Sequence, residues 1–138
     1  MAPQAKAAAE EKAAASFERV WLFHGTDEDT VPKICQMGLD RSFSAVALYG
    51  KGVYFARDAS YSSSKTYSPP NAKGEQCMFL CRVVVGEYCI GVQDAKAPPA
   101  RQDHLLYDST VDDIGKPSIF VTYHDAQAYP EYLVRFRQ

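Results

Sequence analysis

A chain of 138 residues, 46% of them apolar, is enough for one domain with a sizeable core. Its net charge of −2 gives no general electrostatic footprint for nucleic acid or an anionic membrane, and no run approaches the ~20 apolar residues of a membrane span. The N-terminus lacks a secretory apolar region, and Glu10 and Glu11 argue against a transit peptide. Cys35, Cys77, Cys81 and Cys89 show no C-x-x-C spacing. They are expected to be buried, reduced thiols and not a disulfide framework or a zinc site. The expected location is intracellular, nuclear or cytoplasmic.

Residues 2–16, APQAKAAAEEKAAAS, carry almost nothing large to bury and are expected to form a frayed helical leader outside the catalytic unit. FERVWLFHG (17–25) predicts the first strand. DEDTVPKICQMGLD (27–40) sets Val31, Ile34 and Met37 at helical spacing, with an acidic start and Gly38 as the stop, so a short amphipathic helix is expected. Residues 41–52 read as a loop closing on two glycines, and VYFARDAS (53–60) as a strand leading into a helical turn. YSPPNAKGEQ (67–76) is a surface turn. CMFLCRVVVGEYCIG (77–91) is the strongest strand signal and predicts a central strand. Residues 92–117 read mostly as loop. SIFVTYHD and EYLVRFRQ predict two closing strands, with AQAYP (126–130) turning between them. Short links outnumber helical crossovers, which predicts an α+β fold with an antiparallel sheet.

Four fragments carry the chemistry: FHGT (23–26), YGKGVYFA (49–56), YSSSKTY (61–67) and PSIFV (117–121). By itself His24 fits a core histidine, a metal ligand, an acid–base catalyst or a group aimed at a ligand. Gly25 lets backbone N–H and C=O approach a ligand closely. Tyr54 and Tyr67 offer aromatic faces, and Ser62 a small hydroxyl. Together they suit a flat ring bearing a carboxamide, such as nicotinamide. His104 and His124 read as structural or surface groups, and Lys51 as solvated.

These fragments, with YSPPNA and QAYPEYL, resemble in order the catalytic domain of the poly(ADP-ribose) polymerase-like ADP-ribosyltransferases, a diphtheria-toxin-like fold. The resemblance implies split antiparallel β-sheets with few short helices over residues 17–138. Relative to the family, the chain reads as N-terminally shortened, with residues 1–16 as an Ala-rich leader. It also implies NAD as co-substrate, with no metal. His24 would hold the adenine-side ribose, and Thr26 and Arg41 would lie along the donor. The Gly25 backbone would clamp the nicotinamide carboxamide, with Ser62 as the third contact. Tyr67 would stack on the ring, and Tyr54 would line the opposite wall. His24, Tyr54 and Ile119 occupy the family's His-Tyr-Glu catalytic positions, and Ile119 stands where polymerising members carry the glutamate. Glu131 in YPEYL follows the triad strand and is rejected as that residue. The pattern resembles the branch that transfers a single ADP-ribose from NAD to a protein, with acidic side chains as the expected acceptors. The competing expectations are an inactive or truncated domain that only binds NAD or ADP-ribose, and a transferase acting on nucleic-acid ends.

Overall fold

A computed structural model describes residues 19–40 and 47–138. The leader 1–16 and Arg41 lie outside the described residues.

Strand β1 (Arg19–Thr26) buries Leu22 fully and half-buries His24. Helix α1 (Val31–Met37) starts with Pro32 in its first turn, where a missing N–H costs nothing, and stops at Gly38, whose φ is 78°. Its Val31 and Ile34 are buried, but Met37 is 69% exposed, contrary to expectation. The helix stops at Gly38, and Leu39, just past that turn, is the residue buried in the core.

Strand β2 (Val53–Ala56) runs into the single helical turn α2 (Ala59–Ser62), as expected. Strand β3 (Gln76–Val84) is central, paired antiparallel to β1 along its length and to β9 (Ala128–Phe136) on its other side. The run 77–91 is two strands and not one. Gly86 turns the chain at φ 64°, and Asp108 fixes the turn by accepting the Glu87 N–H at 2.8 Å. The chain then continues as β4 (Tyr88–Ile90).

Residues 92–117 hold more order than expected. A small hairpin joins β5 (Ala100–Gln102) to β6 (Leu105–Leu106), and β7 (Ser109–Val111) is buried throughout. β7 pairs parallel to β4 and antiparallel to β8 (Ile119–Thr122). Its buried hydroxyls are satisfied: Ser109 donates to the Val85 carbonyl, and Thr110 to that of Tyr49. AQAYP is a turn only in its first half. A 3-10 turn covers Asp125–Gln127, and β9 already includes Tyr129 and Pro130. As an edge strand with a bulge opposite Leu80 and Cys81, β9 tolerates that proline.

The seven-stranded sheet has the order β4-β7-β8-β2-β1-β3-β9. The α+β expectation holds, and the sheet is split: β1 and β2 share one aligned pair, Phe23 with Ala56. Beyond it the two halves part, leaving a cleft at the ends of both strands. The core beneath is built from Leu22, Ile34, Phe55, Phe79, Val83 and Val111. Among the described residues no helix is long and apolar enough to cross a membrane.

All four thiols are free. Cys77 and Cys81 are buried as expected, whereas Cys35 is exposed on α1 and Cys89 is only half-buried. Burial pushes the Cys77 thiol up to about 11 and Cys81 up to about 12. A maleimide added to the folded protein near neutral pH should therefore label Cys35 first and leave Cys77 and Cys81 unreacted until denaturant is added. Labelling of Cys81 as fast as Cys35 in mass spectra would contradict this packing.

Candidate functional site

The cleft between the sheet halves opens into a cavity of about 380 Å³, within the range of small-molecule sites. His24, Gly25, Thr26, Tyr54, Ser62 and Tyr67, all singled out in the sequence, line it together.

Antiparallel register explains the opening. Continuing the Phe23–Ala56 pair by two residues would set Gly25 opposite Tyr54. The Tyr54 carbonyl instead accepts a hydrogen bond from His24 Nδ1 at 2.7 Å. This fixes the imidazole tautomer with Nδ1 protonated and leaves Nε2 as an acceptor. The ring also packs on Phe55, with centroids 5.6 Å apart. Residues two apart in a strand present their N–H and C=O on the same edge. Phe23 offers its carbonyl to the Ser62 hydroxyl on the α2 side at 3.2 Å, so the Gly25 amide and carbonyl face that side too.

Only glycine fits at position 25. A Cβ there would stand 2.5 Å from the Ser62 carbonyl oxygen, 2.8 Å from Ser68 Oγ and 2.9 Å from the Tyr67 carbonyl carbon. The chain after α2 is folded tightly against β1 at this point. Ser68 Oγ donates to the Ser62 carbonyl at 2.6 Å, and Gln76 Nε2 donates to the carbonyls of Ser63 and Ser68.

The aromatic wall is a pair. Tyr61 and Tyr67 stack at 4.7 Å with 22° between their planes, and the Tyr61 hydroxyl donates to that of Tyr67 at 2.7 Å. Tyr61 was not singled out in the sequence; its signal is a second tyrosine flanking Ser62, six residues before Tyr67.

Tyr54 lines the cavity, but its hydroxyl is engaged elsewhere. It accepts the Tyr49 N–H and donates to the Gly50 carbonyl, both at 2.8 Å. Burial pushes its pKa up to about 12. Tyr54 thus ties the end of the preceding loop to β2, while its carbonyl orients His24.

Ile119 is buried at the start of β8, with its Cα opposite Ala56, a lining residue. It sits one strand beyond the cleft and does not itself line the cavity. Its N–H donates to the Asp112 carboxylate, which also accepts the Ser118 N–H and hydroxyl. These hydrogen bonds hold the Asp112 carboxyl below its usual range despite burial pulling the other way. Glu131 is remote, paired with Arg82 at 3.4 Å on the far half of the sheet. Asp27, Thr30 and Phe55 line the cavity and were not assigned from sequence. His104, His124 and Lys51 are exposed.

Burial lowers the His24 pKa below its ordinary value of 6.5, outweighing the opposing hydrogen bond to Tyr54. The folded chain therefore keeps a neutral ring where an unfolded one takes a proton. As pH falls below 6.5 the unfolded state binds more protons, so stability attributable to His24 is lost on acidification and is flat above neutrality. The difference in denaturation midpoint between the unmodified chain and His24→Gln, followed from slightly alkaline to mildly acidic pH, should shrink as pH falls. A difference that grows on acidification would contradict the neutral assignment.

The sequence profile described as the poly(ADP-ribose) polymerase catalytic domain matches residues 3–112. The chain is 45% identical over 123 residues to "Protein mono-ADP-ribosyltransferase PARP14" of Homo sapiens, a match covering 85% of this chain and 7% of that protein. It is 48% identical over 117 residues to "Protein mono-ADP-ribosyltransferase PARP10" of Mus musculus, covering 82% of this chain and 12% of that protein. The chain thus spans only a small part of these relatives. In fold it is similar to the crystal structure of the PARP domain of Arabidopsis RADICAL-INDUCED CELL DEATH1, with a TM-score of 0.73, 21% identity, and coverage of 99% of this chain and 83% of that one. With the profile spanning most of the chain and the split sheet in place, this protein belongs to the poly(ADP-ribose) polymerase catalytic-domain family.

Proposed function

We propose that the chain is an NAD-dependent protein mono-ADP-ribosyltransferase, moving one ADP-ribose from NAD to an acceptor side chain and releasing nicotinamide. The observation that carries this reading is the break in the sheet, where the Gly25 backbone edge and the His24 acceptor nitrogen meet a stacked tyrosine pair around one cavity.

In this reading the Gly25 amide and carbonyl hold the carboxamide of nicotinamide. The Ser62 hydroxyl exchanges its long bond to Phe23 for the carboxamide oxygen. Tyr67, backed by Tyr61, supplies the stacking face. His24 Nε2 accepts a hydrogen bond from a hydroxyl of the adenine-side ribose, with Thr26 beside it, so the histidine orients the donor and transfers no proton. Arg41 is assigned to the donor by its place in the sequence alone.

The chemistry then follows from charge. The C1′–N bond to nicotinamide breaks, the electron pair leaves with the neutral ring, and the ribose passes through an oxocarbenium-like state. An ionised acceptor carboxylate forms the new C1′–O bond with no proton to remove, so an acidic side chain can be modified without a general base. A ribose hydroxyl must lose a proton as it attacks, and Ile119 cannot take it. Chain growth therefore lacks its catalyst, while a single transfer does not. Positioning supplies the rest.

Incubating the purified chain with radiolabelled NAD and an acidic protein acceptor should give label that is lost in His24→Ala. Calorimetric binding of NAD with no label transferred would overturn the transferase reading in favour of a domain that only binds the dinucleotide.

A further inference from the structure

Two buried hydroxyls meet the chain just before β2. Thr110, in β7, is fully buried, and Tyr123, directly after β8, is 6% exposed. The Thr110 hydroxyl donates to the Tyr49 carbonyl at 2.8 Å. With that proton engaged, Thr110 Oγ1 accepts from the Tyr123 hydroxyl at 2.8 Å, which also stands 3.3 Å from the Tyr49 carbonyl oxygen. Burial raises the Tyr123 pKa, so this hydroxyl keeps its proton to donate. Two glycines make room for the contact. Gly50 has a φ of 121°, and a Cβ there would overlap the Tyr123 hydroxyl; a Cβ at Gly91 would overlap the Tyr49 carbonyl.

Neither Thr110 nor Tyr123 is among the described residues lining the cavity. A continuous run of hydrogen bonds nevertheless joins them to it. The Tyr49 N–H donates to the Tyr54 hydroxyl, which donates to the Gly50 carbonyl, both at 2.8 Å. The Tyr54 carbonyl in turn accepts from His24 Nδ1 at 2.7 Å. Tyr54 is therefore held at its hydroxyl by residues 49 and 50, and holds His24 at its carbonyl.

We propose that Thr110 and Tyr123 are positioning residues for the dinucleotide: by fixing the Tyr49 carbonyl they set Tyr54, and through it the orientation of the His24 ring. The consequence for the dinucleotide rests on reading the cavity as an NAD site; the consequence for His24 does not. Without its anchor Tyr49 shifts, Tyr54 follows, and the His24 acceptor nitrogen turns with them. A small misplacement of this kind weakens contacts well away from the altered atom.

The test compares Tyr123→Phe and Thr110→Val with Ser109→Ala in the full chain. Ser109 is the neighbouring fully buried hydroxyl of β7 and donates to the Val85 carbonyl instead. Each change removes one buried hydroxyl, so all three thermal midpoints should fall by comparable amounts. In NMR spectra without ligand, the His24 Nδ1 proton should give a slowly exchanging downfield signal in the unmodified chain and in Ser109→Ala. It should broaden or exchange faster in Tyr123→Phe and Thr110→Val, and Thr110→Ser, which keeps the hydroxyl, should restore it. By calorimetry those two variants should bind NAD about fivefold to tenfold more weakly, and Ser109→Ala within about twofold of the unmodified chain. An unchanged His24 signal or an unchanged NAD affinity in Tyr123→Phe and Thr110→Val overturns the inference. So does an equal loss in Ser109→Ala, which would make the effect one of general stability. If the unmodified chain binds no NAD, the donor-site reading fails, and the His24 signal alone decides whether the two hydroxyls position that ring.

Discussion

Alanine at position 25 is expected to remove NAD binding by about a hundredfold or more, the size of effect that a displacement of roughly an ångström at a reacting centre produces. The added methyl would lie 2.5 Å from a backbone oxygen and 2.9 Å from a backbone carbon. Neither can swing away as a side chain would, so β1 and the segment after α2 must separate. That overpacking should cost about 1–3 kcal/mol of stability. Gly38→Ala provides the control. Its new methyl meets nothing within 4 Å, but its φ of 78° is strained for alanine, which costs roughly 1 kcal/mol. It should lose stability while keeping NAD affinity. Calorimetry beside thermal denaturation separates the two variants, and a Gly25→Ala chain that binds NAD normally would contradict the close approach argued for the site.

Glutamate at position 119 is expected to destabilise the fold by about 3 kcal/mol, a typical cost for a charge buried without a partner. Ile119 is 5% exposed, and its own N–H is bonded to the Asp112 carboxylate. A new carboxylate there meets low dielectric and a like charge, so its pKa rises in the folded state. The sign follows: below the ordinary glutamate range both states are protonated and the charge penalty is absent, and it grows as pH rises toward neutrality. Denaturant midpoints compared at acidic and neutral pH give the measurement. A variant as stable as the unmodified chain at neutral pH would place side chain 119 in solvent.

The sequence carried the residues that line the cavity further than it carried the strand boundaries. FHGT, GKGVYFA and YSSSKTY could be read because close backbone approach requires glycine and ring binding requires aromatics, whatever surrounds them. Six of the residues singled out from those fragments meet around one cavity. What could not be read depends on partners distant in sequence. β7 looks like loop because Ser109 and Thr110 are polar, yet their hydroxyls are satisfied by the carbonyls of Val85 and Tyr49. The 77–91 run looks unbroken because its apolar pattern continues across Gly86, and only the clasp from Asp108 shows the turn. Met37 kept the helical period but lost its place to Leu39 when the helix stopped short. Tyr54 looked like a wall residue, and nothing local shows that its hydroxyl braces Tyr49 and Gly50. Asp27 was hidden within an acidic run whose next member is neutralised by Arg135.

The central claim is single transfer, and the direct measurement is the number of ADP-ribose units on each modified side chain, read by mass spectrometry of the acceptor after prolonged incubation with excess NAD. The account predicts one unit per site at every time point, absent from the His24→Ala reaction. Chains of ADP-ribose made by the unmodified protein would contradict it, since they would require a base at a position that Ile119 fills.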